Sequence, residues 1–316
     1  MIPVRRCVVG MLLLLLLLPK ALPAQLLPFR NYTAANGLLS NDVESISQDA
    51  NGYLWFGTTD GISVFNGTTV RNFTTADGLP GNFIRQVIPD TRRAGAMWVL
   101  AGSHLSHYAD STFTTLGLPG GGLYSIYQDR RGRLWCSTGT GPVVIDGDSA
   151  RMQDFTLLRH GYREMAEGKG NVLWFGLDSA IVCYSPDEQR WNEISLREIL
   201  PTGFHSMKAD SSGDLWVCCG SGAIVRIRDT AIVGIRRGLP EGMFADAPFA
   251  IYAVTGGNVC CYGYNGLTLI PTEPFESAPA REVTEKNGLF ENTLRSAFID
   301  REGNTWLGGR DHGVMK

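Results

Sequence analysis

Few residue spacings in this sequence point to covalent or metal chemistry. Five histidines, His104, His107, His160, His205 and His312, lie in separate stretches of the chain. None forms the H-E-x-x-H pair that sets two imidazoles on one helix face around zinc, and no Cys/His ligand set stands near them. No G-x-S-x-G elbow offers a nucleophile, and no Walker loop offers a phosphate cradle. The run Gly117-Leu118-Pro119-Gly120-Gly121-Gly122 is followed by no helical pattern and does not read as a dinucleotide turn, while Gly168-Lys169-Gly170 reads as a hairpin turn. A recurring D-x-x-G lacks the spaced carboxylates of a calcium loop and reads as structure. Catalytic residues, metal ligands and cofactors are therefore not expected. What remains is recognition chemistry: the amides Asn41 and Asn82, the carboxylate Asp60, the guanidinium groups of Arg85, Arg163, Arg295 and Arg310, the phenols Tyr124 and Tyr162, and the imidazoles His104, His205 and His312. Aromatic rings stack on the apolar face of a sugar, amides bond its hydroxyls, and arginine takes an anionic glycan. These residues run from Asn41 to His312, so only a fold that returns the chain repeatedly to one rim assembles them.

The elements that would do so are visible as a repeat. Gln48-Asp49-Ala50-Asn51-Gly52-Tyr53-Leu54-Trp55-Phe56-Gly57-Thr58 recurs as Gln128-Asp129-Arg130-Arg131-Gly132-Arg133-Leu134-Trp135-Cys136-Ser137-Thr138. It recurs again around Asp210 and Trp216 and around Asp300 and Trp306. Weaker copies carry Trp98, with a two-residue insertion, Trp174, with the aspartate lost, and Cys260 in place of tryptophan. These anchors are 37 to 46 residues apart, about 42 on average. A period of this size with strands in each unit is that of a four-stranded propeller blade.

Each unit reads as strand, D-x-x-G hairpin, strand with tryptophan, turn, strand, hairpin, strand. Aspartate accepts bonds from its own turn and glycine takes the left-handed position. Glycine at 12% (38 of 316 residues), 10% aromatics and only 19% charged residues agree with short strands and tight turns. The fold class expected is all-β, a seven-bladed propeller of four-stranded antiparallel blades. The last unit ends after three strands. Residues about 28–33 resemble a fourth strand and should complete the seventh blade beside residues 309–316, removing an open edge. The loops entering the inner strands and the turns between second and third strands then share one rim, opposite the D-x-x-G hairpins, and the recognition residues above fall on it. Trp55, Trp98, Trp135, Trp174, Trp216 and Trp306 are expected in the core between blades rather than in a sugar-stacking ladder.

Arg5 and Arg6 precede an apolar run, Cys7 to Leu18, too short to span a bilayer. Residues 1–24 read as a signal peptide cut before Gln25, leaving a periplasmic domain over 25–316 with no membrane span. Its removal takes the formal charge from −3 to −6. No basic cluster lies beyond the leader, so nucleic acid is not an expected partner. Six cysteines remain, either buried free thiols or including one bridge, as between the vicinal pairs Cys218-Cys219 and Cys260-Cys261.

The stretch over residues 37–62, G-L-x-S-N-x-V-x-x-I-x-Q-D-x-x-G-x-L-W-F-G-T-x-D-G-I, resembles the two-component regulator propeller repeat. The resemblance is strong in units one, three and seven and eroded in two, four and six. It implies the periplasmic sensor portion of a hybrid two-component histidine kinase of Bacteroidetes type. In that family a second propeller, an immunoglobulin-like linker, a transmembrane helix and a cytoplasmic kinase usually follow. No second hydrophobic span and no histidine in a helical phospho-acceptor context occur here. The chain is thus read either as the first propeller of a longer sensor or as a separate binding protein, with a carbohydrate ligand and a second propeller or kinase-bearing partner. Two alternatives stay open. An exported lyase-like enzyme needs an acid–base pair at the channel mouth, where Asp60, Glu44, His104, His205 and His312 are candidates. An interaction scaffold needs a large apolar patch on one face.

Overall fold

The computed structural model describes residues 29–147, 149–153, 156–158, 162–197, 203–219, 223–237 and 250–316. The leader assigned to residues 1–24 lies outside them. Among the described residues the strands form seven four-stranded antiparallel sheets, each made of chain-consecutive strands apart from the last. Blade one runs Val43–Gln48, Leu54–Thr58, Gly61–Phe65 and Val70–Phe73, from the channel outwards. The inner strands of the others are Ile84–Pro89, Leu123–Gln128, Glu164–Glu167, Phe204–Ala209, Ala250–Thr255 and Leu294–Ile299.

The ring closes where the terminal patterns indicate. Asn31–Tyr32 lies antiparallel to Val314–Met315 as the fourth strand of blade seven, with Asn31 opposite Met315 and Tyr32 opposite Val314. Arg30 and Lys316 exchange backbone hydrogen bonds of 2.9 and 2.8 Å. Closure covers the outer edge of Val314–Met315, which would otherwise be unpaired.

The tryptophans sit between blades. Trp55 packs with Val87, Met97 and Tyr108 of blade two, and Trp306 with Leu54, Phe56 and Phe65 of blade one. All six of the repeat's rings are buried, and truncating a large buried ring costs roughly 3–5 kcal/mol. The D-x-x-G spacing has a local cause. In blades one, three, five and seven the aspartate Oδ1 accepts backbone N–H groups of its own turn. Its Oδ2 accepts the indole N–H six residues on: Trp55 to Asp49 (3.0 Å), Trp135 to Asp129 (2.9 Å), Trp216 to Asp210 (2.8 Å) and Trp306 to Asp300 (2.7 Å). One carboxylate thus closes the hairpin and orients the interblade ring. Where the repeat erodes, in blades two and four, the indole nitrogens of Trp98 and Trp174 are buried without a hydrogen-bond partner.

The six cysteines of this domain are free thiols, all buried. Short 3₁₀ turns occur at Ala34–Asn36, Thr75–Asp77 and Glu285–Asn287, leading into blades one, two and seven. No helix of the described residues is long and apolar enough to cross a membrane.

Candidate functional site

The mouth of the channel is built by a defect that recurs in register. In five inner strands the pairing with the second strand slips by one residue near the start, between Val43 and Ser45, Ile84 and Gln86, Leu123 and Ser125, Phe204 and Ser206, and Leu294 and Ser296. Such a bulge leaves one residue unpaired and re-aims its side chain. The extra residues are Glu44, Arg85, Tyr124, His205 and Arg295. In blade four the ladder begins two residues later, at Glu164, and the Arg163 N–H donates to Gly176 O, placing Arg163 at the same level. Six blades therefore present Glu44, Arg85, Tyr124, Arg163, His205 and Arg295 at equivalent positions. Five of these were among the recognition residues expected from the sequence. Glu44 was weighed only as an enzyme candidate; its place in the repeat, directly after Val43 as Arg85 follows Ile84, was the signal that groups it with them. Blade six carries its bulge later, between Ile251 and Ala253.

The remaining expected residues take other positions. Asn41 and Asn82 spend their side-chain oxygens on the 3₁₀ turns, accepting from Ala34 N (2.8 Å) and Thr75 N (2.9 Å), and Asn292, not singled out from the sequence, does the same for Glu285 N (2.9 Å). Asp60 sits on the exposed turn after Leu54–Thr58, its N–H donating to Thr58 Oγ1. Arg310 lies on the corresponding turn of blade seven, its N–H donating to Thr293 O, and the His312 N–H donates to Glu291 Oε1. His104 is exposed beside a separate small cavity with Gly121 and Gly122.

The mouth is uneven. On its blade seven and one side Arg295 stands about 4 Å from both Asp42 (4.0 Å) and Glu44 (3.9 Å). Burial pushes both carboxyls above their usual range, with Arg295 pulling in the opposite direction. Here the blades are tightly stitched: Val87 N donates to Ser45 Oγ (3.0 Å) from blade two to one, and Ser296 Oγ donates to Val43 O (2.8 Å) from seven to one. Equivalent stitches join blades two and three through Gln86, four and five through Glu164, and five and six through Ser206.

Between blades three and four the inner-strand stitch is replaced by one from the second strand, and Ser125 Oγ is buried without a partner. Gly57, Gly176 and Gly308 allow the next blade to approach so closely that a Cβ there would lie 2.7 Å from Ile84, 2.3 Å from Phe204 and 2.7 Å from Val43 O. Blade three has Ser137 instead, whose hydroxyl bonds the Tyr162 backbone (2.6 and 2.9 Å) and so joins blade four from the second strand, whereas blades two and five, with Leu100 and Cys218 at this position, keep the usual stitch. Beside the seam between blades three and four opens a cavity of about 540 Å³, lined by Arg85, Tyr124, Tyr162, Arg163, Leu177 and Asp178 together with Leu157 and Ser179. Tyr124 is 52% exposed. Tyr162 is 4% exposed and its hydroxyl has no partner; burial pushes it well above the usual tyrosine value. Arg163 pairs with Asp178 at the rim. His205, in the adjoining cavity, is held below the usual histidine value by burial and by the nearby Arg163. Aromatic rings and guanidinium groups thus converge, with the Tyr162 hydroxyl buried behind them, and the arrangement suits a polar ligand bearing a ring. Among the described residues no group of three or more His, Cys, Asp or Glu side chains is gathered as for a metal.

Comparisons with known proteins agree with this architecture. Residues 37–60 and 117–140 match the family described as two-component regulator propeller. No curated protein matches the chain. Among solved structures it resembles the extracellular domain described as that of a hybrid two-component system from B. thetaiotaomicron, with 18% identity and a TM-score of 0.74 over 92% of this chain and 42% of that one. It also resembles virginiamycin B lyase from Staphylococcus aureus, with 15% identity and a TM-score of 0.71 over 91% and 97%. A third likeness is to PorZ, described as an essential surface component of the type-IX secretion system of Porphyromonas gingivalis, with 14% identity and a TM-score of 0.70 over 90% and 47%. The chain spans less than half the length of the hybrid-system domains it resembles. At these identities the likeness is one of fold.

Proposed function

We propose that this propeller is the ligand-sensing module of an exported two-component signalling system, delivered to the periplasm by the leader in residues 1–24, and that it takes an oligosaccharide at the channel mouth. The observation that carries this reading is the gap between blades three and four, where two aromatic hydroxyl-bearing rings and two arginines line one cavity and the Tyr162 hydroxyl is buried without a partner. An unsatisfied buried hydroxyl costs about 1–3 kcal/mol, a cost that a ligand hydroxyl placed against it offsets. Tyr124 supplies the exposed face on which a sugar ring stacks, and Arg85 and Arg163 favour an acidic sugar. The repeats matched at residues 37–60 and 117–140 support the signalling context. The kinase is carried either further along a longer chain or on a partner.

A thermal-shift screen of the purified protein against neutral and acidic oligosaccharides tests the reading. The expected result is a saturable rise in Tm that Tyr124→Ala and Arg163→Ala abolish while leaving the unliganded Tm unchanged. A panel that moves nothing, or turnover of a substrate with mass change, overturns it.

A further inference from the structure

Blade two departs from the repeat in a way that builds a second concave site away from the mouth. Its aspartate is present but does not hold its tryptophan. Asp90 Oδ2 pairs instead with His107 Nε2 at 3.0 Å, and Oδ1 accepts from Arg92 N and Gln128 Nε2, both at 3.0 Å. The His107 ring lies over Trp98, with centroids 4.1 Å apart. Trp98 is 8% exposed, and its indole N–H is left as a buried donor with no partner.

Trp174, the other unpaired indole, has a plain structural cause. Its aspartate is replaced by Gly168, and the indole nitrogen has moved to where a Cβ on that residue would lie only 2.7 Å away. The Trp98 ring lines a cavity of about 550 Å³ in the flank between blades two and three. Leu116, Leu134 and Ile145 wall this cavity on the apolar side, and Arg92 and Arg93 lie at its edge. Both arginines are part-exposed and bound to single surface carboxylates, Arg92 to Asp146 and Arg93 to Asp110. The Asp90 carboxylate already accepts three hydrogen bonds. The site therefore offers one buried donor and two cationic groups over apolar walls.

We infer that this flank binds an apolar group ending in a carboxylate, its hydrocarbon against Leu116, Leu134 and Ile145, one carboxylate oxygen accepting from Trp98 Nε1 and the charge facing Arg93. A buried N–H that meets a carboxylate makes a charge-assisted bond, stronger than a neutral one. The chemistry is shared by a free aliphatic acid and by the C-terminus of a polypeptide ending in an apolar residue. The site is independent of the mouth, which lies at the opposite ends of the strands.

Indole N–H cross-peaks of the ¹⁵N-labelled protein report it directly, with the Trp98 peak assigned by its loss in Trp98→Phe. Octanoate and an N-acetylated tripeptide ending in leucine are titrated separately, against octanol and the C-terminally amidated peptide. The expected result is a saturable downfield shift of the Trp98 peak by at least one carboxylate probe and by neither neutral control. Octanoate alone identifies a free acid; the peptide alone identifies a chain terminus. Trp98→Phe weakens binding about tenfold, as read from the other shifted resonances. Thr114→Trp, at an exposed position lining the cavity, blocks it without touching the donor. Tyr124→Ala leaves the shift intact, so failure here and failure at the mouth are separate results. If neither carboxylate moves the Trp98 peak, or if the neutral controls move it equally, the inference is overturned.

Discussion

The seam between blades one and two and the seam between blades three and four are made from the same repeat, yet one is closed and the other open. At the first, Gly57 lets Ile84 pack against the sheet and Ser45 bonds Val87 N. At the second, Ser137 stands at the position of Gly57 and bonds the Tyr162 backbone, and Ser125 has no partner. The two seams differ in which strand supplies the bond between blades, and a cavity opens beside the second. The lesson is that departures from a structural repeat are informative when they leave unsatisfied polar groups beside a void.

The comparison can be broken most severely at the closed seams. Gly57→Val or Gly308→Val places a side chain within 3 Å of Ile84 or of Val43 O. It should cost about 3 kcal/mol or more, read as a lower midpoint in urea. Ser137→Gly in the open seam should cost clearly less, and equal losses at both seams would end the distinction. Next in size are the aspartate–tryptophan pairs. Trp135→Phe removes a buried indole bond to Asp129 and leaves that carboxylate short of a donor, so it should destabilise by roughly 1–2 kcal/mol more than Trp174→Phe, whose indole has no partner. Equal costs would mean that the bond contributes nothing.

The smallest expected effect is a pH dependence. Burial and Arg163 depress the His205 value in the folded state, so the unfolded chain binds the proton more readily. Stability is therefore lost as pH falls from the unfolded histidine value of about 6.5 towards the folded one. Denaturation midpoints of wild type and His205→Gln between pH 7.5 and 5 should diverge, with the variant flatter. Parallel curves would mean that His205 is solvated like a free side chain.

Most of the architecture was legible because it is written locally. The aspartate and the tryptophan six residues on belong to one hairpin, and the Thr74–Leu79 pattern, repeated at Thr33–Leu38, encodes a capped 3₁₀ turn closed by a left-handed glycine. Seven copies of the unit, some of them eroded, and a matching pair of chain ends suffice to count the blades and to place the closing strand. The candidate site was legible only in part. Arg85, Tyr124, Arg163, His205 and Arg295 stood out by chemistry, and Asn41 and Asn82 stood out equally, although their oxygens serve the turns.

The sequence by itself determined the period, the number of blades, the ring closure and the burial of the tryptophans, since each follows from patterns within about ten residues or from their repetition. Tertiary structure alone decided which polar residues share a level at the mouth and where the ring gapes. The first depends on a bulge, a property of the register between two strands rather than of either one. The second depends on contacts between blades, such as that of Ser137 with Tyr162 twenty-five residues away, which no pattern within one repeat encodes.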